Sequence, residues 1–209
     1  MGRSEITAGL STLLERQLEQ TTCVWGREVS IEALERCRPD YLSVSANFGK
    51  FAAVSSIERA EVTVYEIKSC LADFKSGHGV NEIGDNNWLV MPYETLMKII
   101  ESEGEYSIGR WSVAYPFPES HGRVPDIANL PTYEGQVDGW KLYWGVKDLS
   151  RKTRPMPIMV YLWALLHSVN SVAEREIGIS KFQKITGTSY VEAKHILDTL
   201  KQEGARVVE

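Results

Sequence analysis

The sequence predicts an α/β domain with a C-terminal helical extension, and three observations lead there. Apolar residues recur at helical spacing in "ITAGLSTLLERQLEQ", where Ile6, Leu10, Leu13, Leu14 and Leu18 line one face. Short β-branched and aromatic runs then alternate with helical segments as far as "WKLYWGVKDL". From Met156 onward every segment has helical periodicity.

Taken in order, the first helix is followed by a strand over "CVWGREVSI" and a second over "RPDYLSVSA", opened by a proline, which a strand tolerates at its first residue. "GKFAAVSSIERAEVTVYEIKS" brings the chain back and ends in a third strand. "CLADFKSGHGVNEIGDNN" starts as a short helix and dissolves into glycine-rich turns, and "WLVMP" is a buried strand stopped by Pro92. "YETLMKIIESEG" reads as a helix with Leu96, Ile99 and Ile100 on one side and a stop at Gly104. "YSIGRWSVAYPF" is a strand, Pro116 to Asp138 a long proline- and glycine-rich loop, "WKLYWGVKDL" the last strand and "SRKTRP" a basic link. The tail holds "PIMVYLWALLHSVNSVAERE", "ISKFQKITG" and "TSYVEAKHILDTLKQEG". Trp25, Trp111, Trp140, Trp144 and Trp163 fall in strand or helix patterns and read as core.

With 209 residues, 43% of them hydrophobic, the chain can bury one substantial core with a small appendage. A net charge of −5 provides no global field for a polyanion, so a nucleic-acid partner would be met by a local basic patch or through metal ions. Three cysteines, Cys23, Cys37 and Cys70, are odd in number and lack paired zinc spacing, which suits reduced thiols and a cytoplasmic protein. The N-terminus has no signal pattern, and Ile6 breaks the myristoylation consensus. The longest apolar run, Met156 to Leu166, falls short of the roughly 20 residues a bilayer span needs, so no membrane partner is expected.

"AEVTVYEIKS", Ala60 to Ser69, poses the functional question. Alternation puts Val62, Val64, Glu66 and Lys68 on one face, which begins apolar and ends ionic. Either the strand emerges into solvent there, or the two charges are held at the edge of the core because chemistry needs them. Metal-dependent phosphodiester cleavage uses carboxylates to hold Mg²⁺, a cation near the developing charge and a positioned water. Glu66 and Lys68 would provide the first two, and Asp40, sharing a face with Leu42 and Val44, is available as a second carboxylate. An E-x-K triplet by itself is common and weakly specific.

The order "RPDYLSVS … VTVYEIKSCLADFKSGHG … NEIGDNNWLVMP" resembles the PD-(D/E)XK nuclease superfamily of restriction-endonuclease-like fold, and most of all its small phage-borne and MmcB-like members. The resemblance runs over roughly residues 5 to 168 and is most specific from Glu66 to Pro92. It implies a mixed β-sheet flanked by helices over residues 1–168, a helical tail over 169–209, and a DNA-cutting or repair enzyme working in a bacterial cell or phage-infected host. It also implies that Asp40, Glu66 and the Ile67 carbonyl bind Mg²⁺, with Mn²⁺ as a substitute, and that Lys68 stabilises charge or orients water. Two departures stand out: the insertion "ANFGKFAAVSSIERAE", which leaves Glu61 as a rival for the acid position, and Asn87-Trp88 in place of aromatics or lysine.

Other residues carry paired readings. Asp73 either supports the site or complements the dipole of a short helix. His78, Asn81 and Asp85 either contact phosphate or form exposed polar surface. Lys75 and the segment "KLYWGVKDLSRKTRP", with five basic residues (Lys141, Lys147, Arg151, Lys152, Arg154) against Asp148, are candidate DNA contacts or a solvated strand end. Pro125-Asp126 follows the E-x-K strand, out of order for the superfamily, and suits turn chemistry. "SYVEAKHILDTL" is either the recognition helix of a helix–turn–helix or half of a plain helical hairpin. A nuclease of this kind is often a homodimer. The rival classes are a nucleic-acid-binding protein that does not cut and a structural phage or host-interaction protein.

Overall fold

The computed structural model describes residues 3–21, 23–34, 37–45, 57, 59–77, 79, 81–102, 107–122, 124–146, 153–167 and 189–202. Its elements are α1 (Arg3–Glu19), β1 (Cys23–Arg27), β2 (Tyr41–Ser45), β3 (Glu61–Ile67), α2 (Leu71–Lys75), β4 (Asn86–Val90), α3 (Tyr93–Ile100), β5 (Ser112–Pro118), β6 (Trp140–Val146), α4 (Ile158–His167) and α5 (Tyr190–Gln202). The fold is mixed α/β, with six strands hydrogen-bonded in chain order. β1 and β2 run antiparallel, β4 and β5 parallel, and β5 and β6 antiparallel. The expected tail boundary after residue 168 and the segment "ISKFQKITG" lie outside the described residues. No helix among the described residues is long and apolar enough to cross a membrane.

Two compact units share the chain, and β3 and β4 contribute to both. One comprises Met1–Gln20, Tyr65–Glu82 and Asn87–Arg151, the other Thr21–Val64, Ile83–Asn86 and Lys152–Glu209.

In the first unit, Leu10, Leu13, Leu14 and Leu18 of α1 are buried, as their spacing predicts. Gly9 lets this helix pass against the Tyr133 hydroxyl and the Gly135 carbonyl, where a Cβ would overlap both. α3 buries Thr95, Leu96 and Ile99, but Ile100 is 58% exposed. The expected third apolar position of that helix thus turns outward, one residue past the buried stripe. Trp88 and Trp111 are buried, whereas Trp140 and Trp144 are half-buried.

The proline-rich loop begins later than expected, because β5 runs on through Pro116 and Pro118. Ala114 accepts the Met91 N–H, so its polar groups point toward β4. Two and four residues on, Pro116 and Pro118 face the same way, beyond the end of β4, where no N–H is missed. The loop itself holds 3₁₀ turns at Glu119–His121 and Ile127–Asn129. Asp126 precedes the second, and its carboxylate accepts from the Asn129 side chain at 2.8 Å, so this aspartate does turn chemistry.

In the second unit, α4 packs on β1 and β2, and Ile158 and Leu165 join Leu42 and Val44 in the core. Trp25 and Trp163 are half-buried. Arg154 pairs with Asp85 at 2.7 Å and donates to the Ala60 carbonyl at 3.1 Å. Asp85 in turn accepts the Val62 N–H at 2.9 Å. Gly84 threads between these groups, for a Cβ there would lie 2.9 Å from the Val62 carbonyl oxygen. At the start of α5, the Ser189 N–H donates to the Glu192 carboxylate and the Glu192 N–H to the Ser189 hydroxyl, a reciprocal capping box.

Fully buried Tyr161 donates its hydroxyl to the Ile83 carbonyl at 2.6 Å. Burial pushes its pKa from 10.0 up to about 12. Between those values the unfolded chain has lost this proton while the folded chain keeps it, so stability falls as pH rises through that window. Urea melts should show this alkaline decline. Tyr161→Phe should make it shallower and lower neutral-pH stability by about 1–3 kcal/mol through the orphaned carbonyl.

Candidate active site

β3 is exposed at its first residue, Glu61, and buried at every later position. Its burial continues past the strand, so Glu66 is only 3% exposed and Lys68 only 4%. The ammonium lies 3.9 Å from the Glu66 carboxylate. The strand does not emerge into solvent at this end, and both charges are held inside. Such burial has to be compensated, because desolvating an ion costs several kcal/mol even after relaxation.

The backbone around Lys68 is fixed from two sides. Its N–H donates to the Val90 carbonyl at 2.9 Å. The next residue, buried Ser69, gives its N–H and its hydroxyl to Asp73 Oδ2 at 3.1 and 3.3 Å. Asp73 sits in the first turn of α2, whose N-cap, Cys70, provides no side-chain cap. Of its two paired readings, backbone ordering next to Lys68 is the one with hydrogen bonds to show. Gly79 closes over the pair from the following turn. Its φ is +78°, and a Cβ there would lie 2.7 Å from the Glu66 Cδ, so only glycine brings the chain this close.

Asp40 is half-buried just ahead of β2, and its carbonyl accepts the Glu28 N–H at 2.8 Å. It belongs to one unit and Glu66 to the other. Glu61, the other candidate acid, is exposed at the first position of β3. Ile67 is buried. Asn81 is exposed and its N–H donates to the Gly79 carbonyl at 2.8 Å. Lys75 is exposed in the last turn of α2. His78, Lys147, Arg151 and Lys152 lie outside the described residues.

Arg154 pairs with Asp85 and donates to the Ala60 carbonyl inside its unit, with 16% of its side chain exposed. Asp85, its partner, is half-buried. Lys141 also has local work: it donates to the Gly122 carbonyl at 2.9 Å and lies 5.0 Å over the Phe117 ring.

Among the described residues no group of three or more His, Cys, Asp or Glu side chains is placed to hold a metal ion. Mg²⁺ is usually held by one or two carboxylates, with waters and substrate phosphate filling the rest of its shell. The hard oxygens of Glu66 and the Ile67 carbonyl fit that chemistry. Comparison with protein-family models, curated proteins and solved structures finds no match for this chain.

Sequence reasoning missed Gly79. Its signal was the "SGHG" turn beside a buried acid, but which glycine approaches the carboxylate depends on the fold. The pair also makes a prediction that is independent of function. Lys68→Met should lower stability by about 3–5 kcal/mol by removing the cation beside a buried carboxylate, and adding Glu66→Gln should restore most of the loss. Urea titration of the two variants checks this.

Proposed function

We propose that this chain is a divalent-metal-dependent nuclease acting on DNA, of the restriction-endonuclease-like kind. The observation that carries the reading is the buried Glu66–Lys68 pair at the end of β3, 3.9 Å apart, in the E-x-K order the superfamily uses. Glu66 and the Ile67 carbonyl would hold Mg²⁺. The bound ion supplies charge stabilisation to a phosphate oxygen. Lys68 presents a compact ammonium, in a site shielded from water, to the charge that develops there, and such shielding strengthens its effect. Asp73, through Ser69, fixes the backbone from which that ammonium reaches.

A second reading has its own support: both charges are almost wholly buried and the chain is net acidic. In that reading the pair is a structural element of a protein that binds or scaffolds without cutting.

Incubating the protein with plasmid, linear and single-stranded DNA in Mg²⁺, Mn²⁺ or EDTA separates the two. The nuclease reading requires divalent-dependent cleavage of at least one form, and its absence from all of them, and from RNA, hands the case to the second reading. Lys68→Arg keeps the charge and so the fold, but its planar fork cannot replace an ammonium set beside a water, so single-turnover cleavage should fall by roughly 100-fold with metal affinity unchanged. Glu66→Gln removes an anionic ligand, so calorimetry should show weakened Mg²⁺ binding together with lost cleavage.

A further inference from the structure

At Glu66, chemistry and burial are in conflict. A carboxylate that binds Mg²⁺ must leave room for the waters and phosphate oxygens that complete the ion's shell. Glu66 is 3% exposed and Lys68 4%, so neither the hydrated ion nor a phosphate reaches the pair in this conformation. Whatever covers the carboxylate has to withdraw before the site can work.

The groups around it differ in how firmly they are held. The end of β3 is tied to Val90 through the Lys68 N–H, and Asp73 binds the first turn of α2 to Ser69. The remaining cover is the backbone at Gly79, where a Cβ would lie 2.7 Å from the Glu66 Cδ and 3.0 Å from Oε1. Gly79 belongs to a turn that leaves α2 at Gly77, whose N–H donates to the Phe74 carbonyl at 3.2 Å. The chain rejoins the unit at Glu82, whose carboxylate accepts the Arg110 N–H at 3.3 Å. Ser76, Gly77, Asn81 and Glu82 are exposed, and the Asn81 N–H returns to the Gly79 carbonyl at 2.8 Å, a bond inside the turn. Gly77 has a φ of +67°, yet a Cβ there would meet nothing within 4 Å. Its backbone angle, and no steric contact, is what calls for glycine at that joint.

We propose that the turn bearing Gly77 and Gly79 is a lid over Glu66, closed in this conformation, which pivots at Gly77 to admit a divalent ion and phosphate. The proposal rests on the nuclease reading for what enters once the lid is open. Neither glycine has a side chain to withdraw from the core, so the motion needs only a change of backbone angle at an exposed position. Closure has a use in that reading, because excluding water strengthens the effect of the Lys68 charge. It also sets affinity: a site whose competent state is only fractionally populated binds its ligand more weakly by that fraction. Glycine at 77 keeps the closed state favoured. A residue with a side chain is disfavoured at φ +67° and would shift the balance toward opening without touching Glu66.

The test is carboxylate labelling with a water-soluble carbodiimide and glycine ethyl ester, without metal, read at Glu66 by peptide mass spectrometry. Glu61, exposed on the same strand, is the reference, and half-buried Asp85 reports general loosening. Gly77→Ala should raise Glu66 labelling relative to Glu61 by about 5- to 30-fold and leave Asp85 unchanged. Calorimetry should show Mg²⁺ affinity tightening by the same factor. Gly79→Ala should raise labelling further, since its Cβ also pushes the turn off the carboxylate; if that variant fails to fold, Gly77→Ala carries the test alone. Unchanged Glu66 labelling in Gly77→Ala, or labelling that rises equally at Asp85, overturns the lid. Enhanced labelling with no Mg²⁺ binding in either protein keeps the lid and discards the nuclease reading. Divalent-dependent cleavage with unchanged labelling does the reverse.

Discussion

Holding a carboxylate and an ammonium together inside the protein at the end of β3 is the constraint to which its surroundings answer. At 3.9 Å the two groups attract without forming a short hydrogen bond, so the pair alone does not repay its desolvation. The neighbouring residues fix the backbone from which it projects. Val90 takes the Lys68 N–H, Asp73 takes both donors of Ser69, and Gly79 brings backbone against Glu66. Their convergence on two buried, oppositely charged side chains is the physical reason to look for function there.

The Arg154–Asp85 pair shows what a structural ion pair looks like in the same molecule. It closes to 2.7 Å, and its remaining hydrogen-bonding capacity goes to the backbone at Ala60 and Val62. Arginine suits that task, because its planar fork reaches a carboxylate and a carbonyl at once. Lys68 and Glu66 are looser and more deeply buried. One pair is fitted to hold chain segments together, and the other places charge where little else would tolerate it.

Local pattern made part of this legible. Period-two alternation in "VTVYEIK" placed Glu66 and Lys68 on one face, and helical spacing picked out the buried leucines of α1. It failed wherever the answer depended on a distant segment. Pro116 and Pro118 read as loop, yet β4 ends before their turn to pair, and so the strand continues. Arg154 read as one more basic residue in a link, because Asp85 is far away in sequence. Ile100 differed from Ile99 by a single position at the edge of a stripe.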